Sequence, residues 1–245
     1  MGNLLEVAGL RKRYGAITVA DDITFSLAAG TCLGVIGPNG AGKSSLFDLI
    51  VGAARTDAGS IRLDGREIGG LRPHLRARLG IGRAFQVPQP FPHLTVYENV
   101  LAAALFGGGK KGAEAARWAM EALARTDLAE KVGVLAGKLP LLDRKRLEFA
   151  KTLALQPKLL LLDEIAAGLT EPEIELLVAS IAMAKATHAI IWIEHIPHAL
   201  RAVADRMMVL YFGRKLLEGP PDDVMASSIV REIYMGLTED DITRG

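Results

Sequence analysis

The chain has 245 residues, half of them hydrophobic, and a formal net charge of +1. That length and apolar content suit one sizeable α/β domain, with or without a smaller satellite, and exclude wholesale disorder. The near-neutral charge argues against nucleic acid or an anionic membrane surface as the main partner, and a single cysteine, Cys32, cannot form an intrachain disulfide.

Along the chain, residues 4–60 mix alternating strands, such as 23–27, with turns. An apolar run at 31–36 ends in glycine-rich sequence, and a helix follows over 42–51. Strand, glycine loop and helix open a βαβ unit. Basic residues gather between Arg72 and Arg83 and read as a solvated face. From about 87 to 144 the signals are helical, with helices at 96–105 and 113–124. Between them Gly107-Gly108-Gly109-Lys110-Lys111-Gly112 reads as a flexible, polar linker. Apolar strands follow at Leu159–Asp163, Ala189–Ile193 and 207–210. An amphipathic helix over 171–186 carries Pro172 in its first turn. Strands alternating with helices imply a mostly parallel sheet covered on both faces. The acidic stretch 238–241 reads as a frayed tail. The first 14 residues lack the apolar stretch of a signal peptide, and no run approaches the roughly 18 apolar residues of a membrane span. The expectation is a soluble protein whose membrane role, if any, comes through a partner.

The segment Gly37-Pro38-Asn39-Gly40-Ala41-Gly42-Lys43-Ser44 fits G-x-x-x-x-G-K-[ST]. Glycines let the backbone wrap closely, so several N–H groups can face phosphate oxygens. The following helix, which takes in Ser45, presents its positive end to the same anion. Lys43 would reach the β- and γ-phosphates and the Ser44 hydroxyl would ligate Mg²⁺. These residues predict binding of ATP with Mg²⁺. Asp163 sits at the end of an apolar strand, the sheet edge where α/β proteins bind ligands, and suits the Mg²⁺ environment. Glu164 follows it and could polarise an attacking water. His195 follows the 189–193 strand and could hold the γ-phosphate or that water, or be structural. Gln86, before the proline-rich 87–92, could contact Mg²⁺ or water, or be a polar loop residue.

In this order the residues resemble the ATP-binding subunit of an ABC transporter over nearly the whole chain. The resemblance implies that residues 11–25 form the adenine-stacking segment, with Tyr14 as the aromatic platform. Gln86 then matches the family's Q-loop glutamine, Asp163 and Glu164 its Walker B pair, and His195 its switch histidine. Gly82-Arg83-Ala84-Phe85-Gln86-Val87-Pro88-Gln89-Pro90-Phe91-Pro92-His93-Leu94-Thr95-Val96, Arg146-Leu147-Glu148-Phe149-Ala150, Ala167-Gly168-Leu169-Thr170 and Ile193-Glu194-His195 are similar to the LivG-type subunits of branched-chain amino acid importers. The implied fold is an α/β P-loop NTPase core of the ABC type, with a mostly parallel sheet, an N-terminal antiparallel β portion and an inserted α-helical subdomain. Residues 1–86 and 157–236 would form the two parts of the ATP-binding core, 87–156 the helical subdomain and 237–245 the tail.

The chain departs from that pattern at the signature loop. Where the family has Leu-Ser-Gly-Gly-Gln, this chain has Leu139-Pro140-Leu141-Leu142-Asp143, ahead of a helix expected near Arg144. Proline removes an N–H donor and the leucines obstruct close backbone approach. Asp143 could cap the helix, while bringing a negative charge towards phosphate. Thr170 also stands where aspartate is common. In the family this loop completes the other subunit's ATP site across a head-to-tail dimer, so a heterodimer with an intact second ATPase is the expected assembly and a homodimer the alternative. The resemblance implies a cytoplasmic, peripheral subunit held on transmembrane permease subunits, without direct contact to the solute. Branched-chain or related amino acids lead as that solute, with urea and short amides as alternatives. A regulatory module with little hydrolysis is the competing reading, favoured by the altered loop and opposed by Glu164 and His195. A soluble protein acting on DNA or ribosomes would require a second cassette or strong basicity.

Overall fold

A computed structural model describes residues 2–235, so the 238–241 stretch lies outside the described residues. The chain opens with β1 (Asn3–Tyr14) and β2 (Ile17–Ala28), then β3 (Cys32–Ile36) and α1 (Lys43–Val51). Next come β4 (Ala58–Leu63), β5 (Arg66–Glu67), α2 (Pro73–Arg78) and β6 (Ile81–Ala84). Two helices follow, α3 (Val96–Ala102), continued by a π turn over Ala103–Gly107, and α4 (Gly112–Arg125). After α5 (Leu141–Leu153) the chain alternates through β7 (Leu159–Asp163), α6 (Glu171–Lys185), β8 (Ala189–Ile193) and α7 (Pro197–Val203). It ends with β9 (Arg206–Tyr211), β10 (Arg214–Gly219), α8 (Pro221–Ala226) and α9 (Ser228–Met235).

The strands form two sheets. One is antiparallel, in the order β2-β1-β4-β5, and the other runs β10-β9-β3-β8-β7-β6. In the second sheet β6, β7, β8, β3 and β9 are parallel, and β10 pairs antiparallel with β9. The two-residue period of β7 explains why the sheet is buried on both faces. Leu160 and Leu162 pack into a core shared with the helices, whereas Leu159 and Leu161 pack into a core shared with the antiparallel sheet. On β8, Ile190 and Trp192 face the first core and Ile191 and Ile193 the second. Thr95 starts α3 with a reciprocal capping box, its hydroxyl accepting from the Glu98 amide while the Glu98 carboxylate accepts from the Thr95 amide. Thr170 caps α6 in a related way, donating its amide and hydroxyl to the Glu173 carboxylate, which accounts for threonine there.

Two expectations from sequence are corrected. The basic stretch from Arg72 to Arg83 is not uniformly a solvated face, because Arg76 is buried. Its guanidinium donates to the carbonyls of Leu49 and Ile50 in the last turn of α1, and to those of Gly69 and Leu71. A cation there satisfies acceptors that a helix end leaves unpaired. Nor is the 107–112 segment a free linker. A Cβ on Gly107 would lie 2.4 Å from Leu155 Cδ2. The Gly108 amide donates to Ala103 O, and the Lys110 ammonium stands 3.9 Å from the Trp118 ring centroid. These glycines permit close packing. Among the described residues, no helix is long and apolar enough to cross a membrane.

Candidate functional site

The ends of β3, β7 and β8 converge on the glycine loop. A cleft of about 300 Å³ there is lined by residues 39–45 together with Ile17, Val19 and Glu164. Gly42 caps α1 with φ of 98°, in the left-handed region that favours glycine. Lys43 is buried, and its ammonium donates to Gly37 O at 2.7 Å and Pro38 O at 2.9 Å. The lysine therefore closes the loop on itself across its mouth. Burial pulls the Lys43 ammonium below its ordinary value, opposed by the charges of Glu164 and Asp163. The Ser44 hydroxyl is exposed and has no hydrogen-bond partner among the described residues.

Glu164 holds a positive φ of 46°, a strained conformation for a non-glycine residue and one that clusters at functional sites. Its amide donates to Ile193 O, fixing the turn to β8. The carboxylate accepts from Gln86 Nε2 at 2.6 Å and pairs with His195 Nε2 at 2.9 Å. Three elements distant in sequence thus meet on one carboxylate. Asp163 is buried beside it and accepts from Arg83 Nη2 at 2.6 Å. Burial pushes the Asp163 carboxyl up, offset by the hydrogen bond from Arg83. Tyr14 is half-exposed at the end of β1, with Lys12 5.0 Å from its ring centroid, and stands outside the lining of the cleft. His198 pairs with Glu171 at 3.0 Å, away from this group.

Several participants were not singled out from sequence: Ile17, Val19, Asp48, Arg83, Lys145 and Glu194. Arg83 carried a signal, since a cation inside an apolar strand demands a partner. Lys145, buried on α5, donates to Gln86 O at 2.5 Å and so ties that helix to the Gln86 loop. Glu194 is buried and accepts from the amides of Ala166 and His195. Burial pushes the Glu194 carboxyl above the ordinary glutamate value, partly offset by those amides. A raised value means the folded protein binds this proton more tightly than the unfolded chain. Its stabilising contribution is therefore present at low pH and lost as pH rises through the folded value. Glu194→Gln is expected to gain Tm relative to wild type as pH rises above the ordinary glutamate value; parallel melts showing a constant or shrinking difference would overturn this.

The loop before α5 also differs from expectation. The helix begins at Leu141, three residues ahead of Arg144, with Pro140 as its N-cap residue. Asp143 does not cap it. The residue lies inside the first turn, buried, with its carboxylate paired to Lys131 and 3.8 Å from Arg146 Nη1. Proline's fixed φ suits the entry to a helix, and the two cations draw the carboxylate inward. Leu141 is 43% exposed, beside Gly168.

A family model described as ABC transporter matches residues 20–167. The chain belongs to the ABC transporter family. This ABC protein is 34% identical to the high-affinity branched-chain amino acid transport ATP-binding protein BraF of Pseudomonas aeruginosa, over 95% of this chain and 98% of that one. LivG of Escherichia coli K12, described in the same terms, matches at the same identity and coverage. A solved ATP-binding cassette of an ABC transporter, in its ADP conformation, superposes with a TM-score of 0.89 at 27% identity, covering 96% of this chain and all of that one. ABC transporter ATP-binding proteins are ATPases coupled to transport.

Proposed function

We propose that this protein is the ATP-hydrolysing subunit of an importer for branched-chain or related amino acids. The observation that carries the hydrolytic reading is the carboxylate of Glu164, in the glycine-loop cleft and held from both sides by Gln86 and His195. A module that only bound nucleotide would have no use for that arrangement. The importer reading draws on BraF and LivG, which match along almost their whole length.

In this reading the loop amides and Lys43 bind the β- and γ-phosphates, with Lys43 exchanging its two carbonyl partners for phosphate oxygens. Tyr14 offers adenine a stacking face. The residues present fit a magnesium ion, because among the described residues the Ser44 hydroxyl and Asp163 Oδ1 have no hydrogen-bond partner and Gln86 stands beside Glu164. Bound there, the ion would neutralise developing phosphate charge. Glu164 orients and deprotonates the attacking water, and His195 steadies the carboxylate and the γ-phosphate. The protein acts at the cytoplasmic face of the membrane on permease subunits, and the solute does not contact it.

The altered 139–143 loop supports a heterodimer. Pro140 and the two leucines give a poor phosphate surface, so this chain completes a weak site in its partner while its own site receives the partner's intact loop. The test is calorimetric titration of Mg·ATP into the chain, followed by phosphate release with and without its second ATPase and permeases. Nucleotide binding by the chain alone is expected, and turnover at least tenfold faster in the complex. Absence of binding, or turnover in the complex that ignores this chain's loop, would sink the proposal.

A further inference from the structure

Arg83 on β6 reaches into the site between two carboxylates. Its Nη1 donates to Asp48 Oδ1 and its Nη2 to Asp163 Oδ2, each at 2.6 Å. The guanidinium carbon lies 4.9 Å from the Phe85 ring centroid and 5.6 Å from that of Phe47. The side chain is only 11% exposed. One planar group thereby joins α1, which follows the glycine loop, β6, which leads to Gln86, and β7, which ends in Asp163. A guanidinium fork fixes direction as well as charge, and aromatic rings restrict its rotation. Asp48 is the outer anchor, 42% exposed in its side chain against 7% for Asp163.

We propose that Arg83 is a positioning residue for divalent-cation binding: by occupying Asp163 Oδ2 it fixes the carboxylate and leaves Oδ1 for the cation that accompanies nucleotide. The inference rests on the nucleotide-binding reading above and concerns this chain's own route to metal affinity. Partners that orient a ligating group in this way are worth about 10–100-fold in metal affinity. Asp48 contributes by holding the far side of the fork, so that Arg83 neither swings away nor closes bidentately on Asp163. A purely structural arginine would change melting temperature and leave the cation affinity of the folded protein alone.

The experiment titrates Mn²⁺ into the ADP complex and follows free ion by electron paramagnetic resonance, with calorimetry of ADP in EDTA beside it. For Arg83→Met the expected result is about 10–100-fold weaker Mn²⁺ binding, with metal-free ADP affinity within twofold of wild type. Arg83→Lys, which keeps the charge and loses the fork, is expected to fall between. Unchanged Mn²⁺ affinity in folded Arg83→Met, or an equal loss of metal-free ADP binding, overturns the proposal. If circular dichroism shows Arg83→Met unfolded, Asp48→Asn decides: a several-fold weaker Mn²⁺ affinity supports the role and an unchanged one removes it. Wild-type protein that binds no ADP in either condition would instead overturn the nucleotide reading itself.

Discussion

Glu164→Gln is expected to lower ATP turnover by about 10²–10⁴-fold while nucleotide affinity stays within a few-fold of wild type. The amide keeps the size of the side chain, and its oxygen can still accept from Gln86 Nε2, so the turn and the loop around it persist. What disappears is the basic oxygen that faces His195 and would take a proton from water. In the wild-type chain that oxygen stands 2.9 Å from His195 Nε2. Phosphate release under saturating ATP, measured in the assembled complex, reads the first quantity and calorimetry the second. A variant turning over within tenfold of wild type would remove Glu164 from the chemistry. A variant that lost nucleotide affinity in parallel would recast it as part of the binding surface.

Gly42→Ala is expected to abolish nucleotide binding and to destabilise the protein by about 3 kcal/mol or more, whereas Gly40→Ala costs about 1 kcal/mol. Both glycines have positive φ, 98° and 82°, so both substitutions meet backbone strain. They differ in the space around them. A Cβ on Gly42 would stand 2.3 Å from Val19 O, a backbone atom that cannot swing aside, while a Cβ on Gly40 meets nothing within 4 Å. At Gly42 the alternatives are to shift β2 or to open the first turn of α1, and either moves Lys43. For a chain of this size the larger cost corresponds to a fall of roughly 6–12 °C in Tm. Thermal melts and nucleotide titrations of the two variants side by side test the ordering. Equal effects would mean that strain alone governs the loop and the approach of β2 is irrelevant.

The β3–α1 turn was legible because its chemistry is local: eight consecutive residues specify it. The strands β7 and β8 were legible because runs of large apolar residues bounded by polar ones have one economical fate in an α/β chain. The start of α5 was misplaced because Asp143 looks like a capping residue until Lys131, twelve positions upstream, is seen to take its carboxylate. Arg76 was misread for a related reason. Its charge pointed to solvent, but the carbonyls that hold it belong to α1, more than twenty positions earlier. Gly107 looked like flexibility because a glycine inserted for close packing carries no mark distinguishing it from one inserted for freedom.

By itself the amino-acid order determined the alternation of strand and helix, the glycine turn between β3 and α1 and the acidic pair at the end of β7. Periodicity and short motifs act through neighbours along the chain. Only the tertiary structure decided that Glu164 is shared by Gln86 and His195, that Arg83 bridges Asp48 and Asp163, and that Lys145 reaches the Gln86 carbonyl. Those pairings join residues between 31 and 80 positions apart. They are set by which strand ends the parallel sheet brings together, and a low-dielectric interior then makes each buried charge seek the partner that the fold has placed within reach.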